Sequence, residues 1–201
     1  MMAVTLYLIR HGLTQETWRA AISGKGKSPL SDRGRRELTE RKGTHPYPRA
    51  EALYTNPLLR YLQTAQILYP MLVPVPLPSL SEQDFRPVRG KTYEQLKDDP
   101  AYRHWVDSAG LLPPPGGESG QALTVRLEGR SKKIADDCRK SGAKTVAVIT
   151  HGGCIMAMLS RLNLCPDSSP VSFYGYQAPN GGGFSVELHP DSARISLLGV
   201  L

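Results

Sequence analysis

Val4-Thr5-Leu6-Tyr7-Leu8-Ile9-Arg10-His11-Gly12-Leu13-Thr14 decides how the rest of the chain is read. Its first half is short, almost wholly apolar and rich in β-branched and aromatic residues. That pattern predicts a strand buried on both faces, a central one in a parallel sheet. The run ends abruptly in Arg-His-Gly. In open α/β sheets the crevice beyond the carboxyl ends of the strands is where ligands bind. Arg10 brings a planar, permanent charge suited to phosphate or carboxylate. His11 brings an imidazole able to act as nucleophile or acid–base group near neutral pH. Gly12 would let the backbone approach an anion closely, and Thr14 adds a hydroxyl donor.

Working outward, the clearest second strand is Lys144 to Thr150, and it ends in His151-Gly152-Gly153, echoing the first unit. An apolar helix from Cys154 to Leu162 should come next, its N-terminal N–H groups facing an anion. A shorter strand at Ala50 to Thr55 leads through Asn56-Pro57 into a helix at about 58–68, with Pro57 in its first position and Leu58, Leu62, Ala65 and Leu68 on one face. Arg60, in the first turn, is a second cation at the sheet edge. The prolines from Pro70 to Pro78 allow only an extended segment, of edge-strand type. Glu82 emerges after it, with Asp84 as a nearby competitor.

Elsewhere the signals are local. Ser31 is a helix N-cap before a largely exposed helix. Lys91 to Lys97 and Ala101 to Ser108 read as short helices split by Pro100. Pro113 to Gly117 is a loop, and Glu118 to Lys140 a long helix with Leu123, Leu127, Ile134 and Ala135 on its inner face. Gly142 is its C-cap, and Glu118 either caps it or reaches a ligand. Short strands are expected at 171–175, 183–189 and 193–200. His45, His104 and His189 read as surface residues, and Trp105, Tyr174 and Tyr176 as packing.

The chain has 201 residues, 40% hydrophobic and 21% charged, enough for one sizeable domain. No apolar run approaches the roughly 20 residues of a membrane helix, and no signal-type segment opens the chain. No membrane partner and a cytoplasmic location are therefore expected. Three cysteines without CxxC spacing point to reduced thiols, with Cys154 a candidate reactive one beside His151. The net charge of +7 is dispersed and lacks an aromatic-interleaved basic stripe, so no nucleic-acid partner is expected. It suits attraction of small anions into a cleft.

Arg10, His11, Thr14, Arg60, Glu82 and His151 thus gather at strand ends. Two guanidiniums and two imidazoles suit a doubly charged anion. No Asp/Asn cluster suggests magnesium, and no phosphate-binding Gly-Lys loop is present. Neither metal nor cofactor is expected, and arginine would neutralise a transferring phosphoryl group.

In this order, Leu8-Ile9-Arg10-His11-Gly12-Leu13-Thr14, Pro29-Leu30-Ser31-Asp32-Arg33-Gly34, Asn56 to Ala65, Leu80-Ser81-Glu82 and Thr150-His151-Gly152-Gly153 resemble the histidine phosphatase (phosphoglycerate mutase-like) superfamily. The resemblance implies a three-layer α/β/α sandwich with a mostly parallel central sheet. It implies His11 as the phosphorylated nucleophile and Glu82 as proton donor. Arg10, Thr14, Thr17, Arg60, His151 and Gly152 would hold the phosphoryl group. The short chain, with Pro100 to Trp105 and Pro115-Gly116-Gly117-Glu118-Ser119, is most similar to the small α-ribazole phosphatases. One domain over 1–201 is expected, with a helical and loop cap at roughly 92–120.

The expected activity is metal-independent hydrolysis of a small phosphate ester, α-ribazole 5′-phosphate being the leading named substrate, by a monomer or homodimer. A cofactor-dependent phosphoglycerate mutase and a non-catalytic phospholigand-binding module are the alternatives. Leu13 and Thr17 stand where the family usually has an acidic residue or Gln, and Asn. Arg86 and Arg89 add charge where relatives often read Phe-Gly-x-Trp-Glu-Gly.

Overall fold

The computed structural model describes residues 3–15, 28–85, 88, 90–108, 112–163, 173–189 and 192–201. Thr17, Arg86 and Arg89, named in the sequence analysis, and the cysteine at Cys165 lie outside the described residues.

Strand β1 (Val4–Arg10) lies inside a six-stranded sheet of order β3-β2-β4-β1-β5-β6. It pairs in parallel with β4 (Thr145–Thr150), Leu6 opposite Val146 and Arg10 opposite Thr150. β2 (Ala52–Thr55) runs parallel on the far side of β4, and β3 (Val75–Pro76) parallel at the edge. β5 (Gly183–His189) joins β1 antiparallel, and β6 (Arg194–Val200) joins β5 antiparallel. β1 is therefore central, but it sits at the seam between the parallel and antiparallel parts. The prolines around β3 explain its brevity and edge position, since proline cannot donate to a ladder.

Alternate residues of each strand face opposite layers. Leu6, Leu8, Val146 and Val148 pack with Leu123, Leu127 and Ile134 of α5 (Gly120–Ser141) and Ile155 and Leu159 of α6 (Gly152–Arg161). Ile9, Leu53, Ala147 and Ile149 pack with Leu38 of α1 (Asp32–Thr44) and Tyr61, Ala65 and Leu68 of α2 (Leu59–Leu68). Burial on both faces is why β1 and β4 read as unbroken apolar runs.

Local signals set the helix ends. Ser31 Oγ accepts from Gly34 N at 3.0 Å and caps α1, while Ser31 N donates to Leu13 O at 2.9 Å. Gly142 ends α5 at φ 79°, where a side chain would be strained. Four expectations are corrected. α2 is capped at Leu58, so Pro57 lies outside it, and its buried face is Tyr61, Ala65 and Leu68 with Arg60 and Thr64 rather than Leu58 and Leu62. α5 starts at Gly120 with Ser119 as its cap, so Glu118 does not cap it. α6 starts at Gly152, directly after His151. Phe173–Tyr176 is a 3-10 turn rather than a strand.

Between β3 and α5 lie two short helices, α3 (Tyr93–Leu96) and α4 (Pro100–Asp107). Pro100 opens α4 instead of only breaking the chain, with Asp99 as the cap. Val88, Leu96 and Tyr102 form a small cluster of their own, flanked by Phe85 and Trp105. Among the described residues no helix is long and apolar enough to cross a membrane.

Candidate active site

Because β1 and β4 are parallel with Arg10 level with Thr150, His11 and His151 leave the sheet at the same height. His11 N extends the ladder by donating to Thr150 O at 3.0 Å. The two imidazole centroids stand 4.7 Å apart. His11 Nδ1 lies 2.7 Å from Gly12 O. A carbonyl only accepts, so Nδ1 carries the hydrogen and Nε2 keeps its lone pair. Nε2 is buried and has no hydrogen-bond partner among the described residues. Burial first, then the Arg60 and Arg10 guanidiniums, push the His11 pKa down to about 3, against the opposing Gly12 hydrogen bond. His11 is therefore a neutral imidazole at pH 7.

The turn before β5 anchors the β1 end. Arg10 Nη1 donates to Ala178 O at 2.7 Å, and burial lowers the Arg10 pKa. Arg10 Nε is buried without a partner among the described residues. Asn180 Nδ2 donates to His11 O at 2.8 Å. Asn180 is not among the site residues singled out from sequence, since no local pattern reveals a side chain that fixes the His11 backbone.

Arg60 is wholly buried in the first turn of α2. Its guanidinium carbon stands 4.5 Å from the Tyr61 ring centroid, and Nη2 donates to Tyr61 Oη at 3.0 Å. Thr64 Oγ1 donates to Arg60 O at 2.7 Å and accepts from Gly12 N at 3.1 Å, tying α2 to the loop after β1. Glu82 comes after the 3-10 turn Pro78–Leu80 and is 2% exposed. Its Oε1 accepts from Gln83 N at 2.9 Å, and its Oε2 contacts His151 Nδ1. Burial, then His11 and the two arginines, hold the His151 pKa well below the ordinary histidine value.

The glycines divide the work differently from expectation. A Cβ at Gly12 would meet Leu38 Cδ1 at 2.5 Å, so Gly12 makes room for core packing rather than for an anion. A Cβ at Gly152 would be only 3.4 Å from Arg10 Nε, an ordinary contact, whereas one at Gly153 would collide with Glu82 Oε1. Gly153, not singled out from sequence, is the residue that admits the acid.

Arg10, Glu82, His151, Gly152 and Gly153 line one end of a cavity of about 200 Å³. Phe85, Trp105, Leu123 and Met156 give it an apolar wall, and Gln83, Arg161 and Gln177 complete it. His151 makes no side-chain cap bond to α6, so the helix presents its first N–H groups where Gly152 and Gly153 meet the cavity. His11 and Arg60 are not part of this lining but stand behind it, the His11 ring 4.7 Å from that of the lining His151; Thr14 is buried and bridges to Leu30. Trp105 packs on Phe85 and Tyr102, as expected of a packing residue, yet also forms cavity wall. Cys154 is fully buried; burial raises its pKa and its Sγ donates to Ser81 O at 3.1 Å, so it is not the reactive thiol that its sequence position suggested. Among the described residues no group of three or more His, Cys, Asp or Glu side chains is placed to hold a metal ion.

Residues 6–200 match the histidine phosphatase superfamily (branch 1). The metal-independent phosphoserine phosphatase of Arabidopsis thaliana is 32% identical over 170 residues, covering 78% of this chain and 68% of that protein. The adenosylcobalamin/alpha-ribazole phosphatase of Salmonella typhimurium is 27% identical over 205 residues, covering 96% and 95%. Among solved structures, a mycobacterial glucosyl-3-phosphoglycerate phosphatase superposes with a TM-score of 0.82 at 22% identity, covering 98% of each chain. That last likeness is one of fold.

Proposed function

We propose that this chain, which belongs to the histidine phosphatase superfamily (branch 1), performs its phosphatase reaction without a metal, through a phosphohistidine on His11. The observation that carries the reading is the His11 imidazole itself. It is neutral, its Nδ1 hydrogen is committed to Gly12 O, and its Nε2 lone pair is buried and unpartnered among the described residues. Leaving a buried polar atom unpaired costs about 1–3 kcal/mol. A structure tolerates that where the atom has chemistry to perform.

Each group then has a role. Nε2 attacks phosphorus, the P–N bond forms and the bond to the leaving oxygen breaks. Glu82 delivers a proton to that oxygen, and the alcohol departs. Arg10, Arg60, His151 and the Gly152 N–H neutralise the three phosphoryl oxygens, which is most of what phosphoryl transfer requires. The family resemblance puts the Thr14 and Thr17 positions in this shell, with Thr17 offering a hydroxyl donor where the family usually has Asn. Water then attacks phosphorus, Glu82 takes its proton, the P–N bond breaks and inorganic phosphate is released with His11 neutral again.

The wall of Phe85, Trp105, Leu123 and Met156 favours an alcohol with an apolar, flat body. An apolar cavity of about 150 Å³ holds a benzene ring, so about 200 Å³ suits one ring system beside the phosphoryl end. The zwitterionic alcohol of phosphoserine would have Gln83, Arg161 and Gln177 as polar partners but would leave the apolar wall unused. α-Ribazole 5′-phosphate, with its benzimidazole, is our leading substrate. We read residues 92–120 as a cap on one domain, with Trp105 its contribution to the site.

The test is phosphate release from α-ribazole 5′-phosphate, phosphoserine and 3-phosphoglycerate in chelator, with wild type beside His11→Ala. We expect His11-dependent release with the aromatic ester preferred. Equal turnover by His11→Ala would overturn the mechanism. Dependence on added bisphosphoglycerate would favour a mutase.

A further inference from the structure

Glu82 sits in a stretch without regular structure, between the turn at Pro78–Leu80 and Phe85. Such backbone needs partners from elsewhere, and one side chain supplies several of them. Arg126, on α5, donates from Nη1 to Ser79 O and, at 3.0 Å, to Ser81 O. The same guanidinium grips Glu118 with both remaining nitrogens, Nε to Oε1 at 2.9 Å and Nη2 to Oε2 at 2.7 Å. Both side chains are more than four-fifths buried, and neither lines the cavity.

Glu118 fastens the other side of the acid. Its backbone N donates to Asp84 O at 2.9 Å, its Oε2 accepts from Asp84 N at 3.3 Å, and its carbonyl accepts from Gln83 Nε2 at 2.7 Å. The preceding Gly117 permits this approach, because a Cβ there would collide with Asp84 O. Residues 79 and 81 are thus held by Arg126, and residues 83 and 84 by Glu118. The two are locked to each other by a charged fork whose geometry lysine cannot reproduce.

We propose that the Arg126–Glu118 pair is a positioning device for Glu82, holding its carboxyl where it protonates the leaving oxygen. The proposal rests on the reading of Glu82 as proton donor. It also assigns the Pro115-Gly116-Gly117-Glu118-Ser119 stretch: the Glu118 carboxylate is engaged by Arg126 and Asp84 N, and serves the acid loop rather than the substrate.

A misplaced acid has a signature that general loosening of the fold lacks. An alkoxide is a poor leaving group without a proton, whereas p-nitrophenolate leaves without one. Loss of proton donation therefore slows alkyl phosphates and spares p-nitrophenyl phosphate. The parameter to read is kcat/KM, which reports steps through phosphoenzyme formation.

The experiment compares β-glycerophosphate and p-nitrophenyl phosphate in wild type, Arg126→Lys and the charge-neutral double variant Arg126→Gln/Glu118→Gln, with Glu82→Gln as reference. The double variant removes both charges together and keeps the test open if Arg126→Lys does not fold. Displacements on the order of 1 Å cost roughly 100-fold. We expect kcat/KM for β-glycerophosphate to fall about 30- to 100-fold, with p-nitrophenyl phosphate changed less than about 3-fold. Glu82→Gln should show the same split, larger. If Glu82→Gln shows the split but the Arg126 variants slow both esters equally, or neither, the positioning role is overturned and the phosphatase reading stands. If Glu82→Gln shows no split, the assignment of the acid fails and this inference with it.

Discussion

Holding His11 neutral has a measurable thermodynamic consequence. The fold pushes its pKa from 6.5 down to about 3, chiefly by burial. Above pH 6.5 the imidazole is neutral in both folded and unfolded chains, and its contribution to stability is fully present. As the pH falls, the unfolded chain gains a proton that the folded chain refuses until about pH 3. Stability is lost across that window at about 1.4 kcal/mol per pH unit. At pH 5 the loss amounts to about 2 kcal/mol, and below pH 3 it levels near 5 kcal/mol. For a chain of this length about 1 kcal/mol moves Tm by roughly 2–4 °C, so pH 5 should lower Tm by about 4–8 °C through His11 alone. Thermal melts of wild type and His11→Asn at pH 7 and pH 5 read that contribution together with the effect of His11 on His151, which is second to burial; the carboxylates titrate in both proteins. The wild type should lose about 4–8 °C more than the variant. Parallel losses would mean that the fold does not hold this imidazole neutral, and His11 would lack the property that suits it to attack phosphorus.

Arg60→Ala should lower kcat/KM by about 2–4 kcal/mol, roughly 30- to 1000-fold, by loss of a buried charge from the transition state. Unchanged steady-state kinetics would remove Arg60 from the site. Gly153→Ala should press on the Glu82 carboxyl, the movable end of a side chain, so β-glycerophosphate turnover should fall on the order of 10- to 100-fold while Tm changes little. A large Tm loss with normal kcat/KM would show that Gly153 serves packing instead. Cys154 should resist maleimide in the native protein and react once unfolded; rapid native labelling would contradict its burial.

Sequence reading reached the sheet because β1 and β4 carry their signal within a few residues. A strand buried on both faces has no polar face to confuse the pattern, and Ser31 and Gly142 mark helix ends by local chemistry. The same logic placed Arg10, His11, Arg60 and His151 at strand or helix ends, whereas Glu82 follows a 3-10 turn instead of the end of an extended strand. Their mutual contacts were not legible. The Glu82–His151 contact depends on α6 starting at Gly152, two residues before the apolar run begins. The face of α2 was misjudged because Arg60 and Thr64 are buried polar residues. An apolar template counts such residues as solvent-facing. Arg126 and Asn180 act through backbone carbonyls far away in sequence, and no spacing rule encodes that.

The two strand-His-Gly units look alike because parallel register places their ends level, but the connection after each strand makes them unequal. After β1 the chain turns into a loop, and the Gly12 carbonyl faces back to take the Nδ1 hydrogen of His11. After β4 a helix begins at once, so His151 becomes its cap and its Nδ1 meets Glu82 instead. One imidazole is thereby left with a lone pair on Nε2 and no partner for it among the described residues, while the other is engaged with the acid. In our reading this difference assigns attack to His11 and oxygen binding to His151. Exchanging the two roles would require Gly12 to stop packing against Leu38 and a helix to begin where Thr14 bridges to Leu30. On the proposed mechanism, the division of labour comes from the connections after the strands, not from the motif they share.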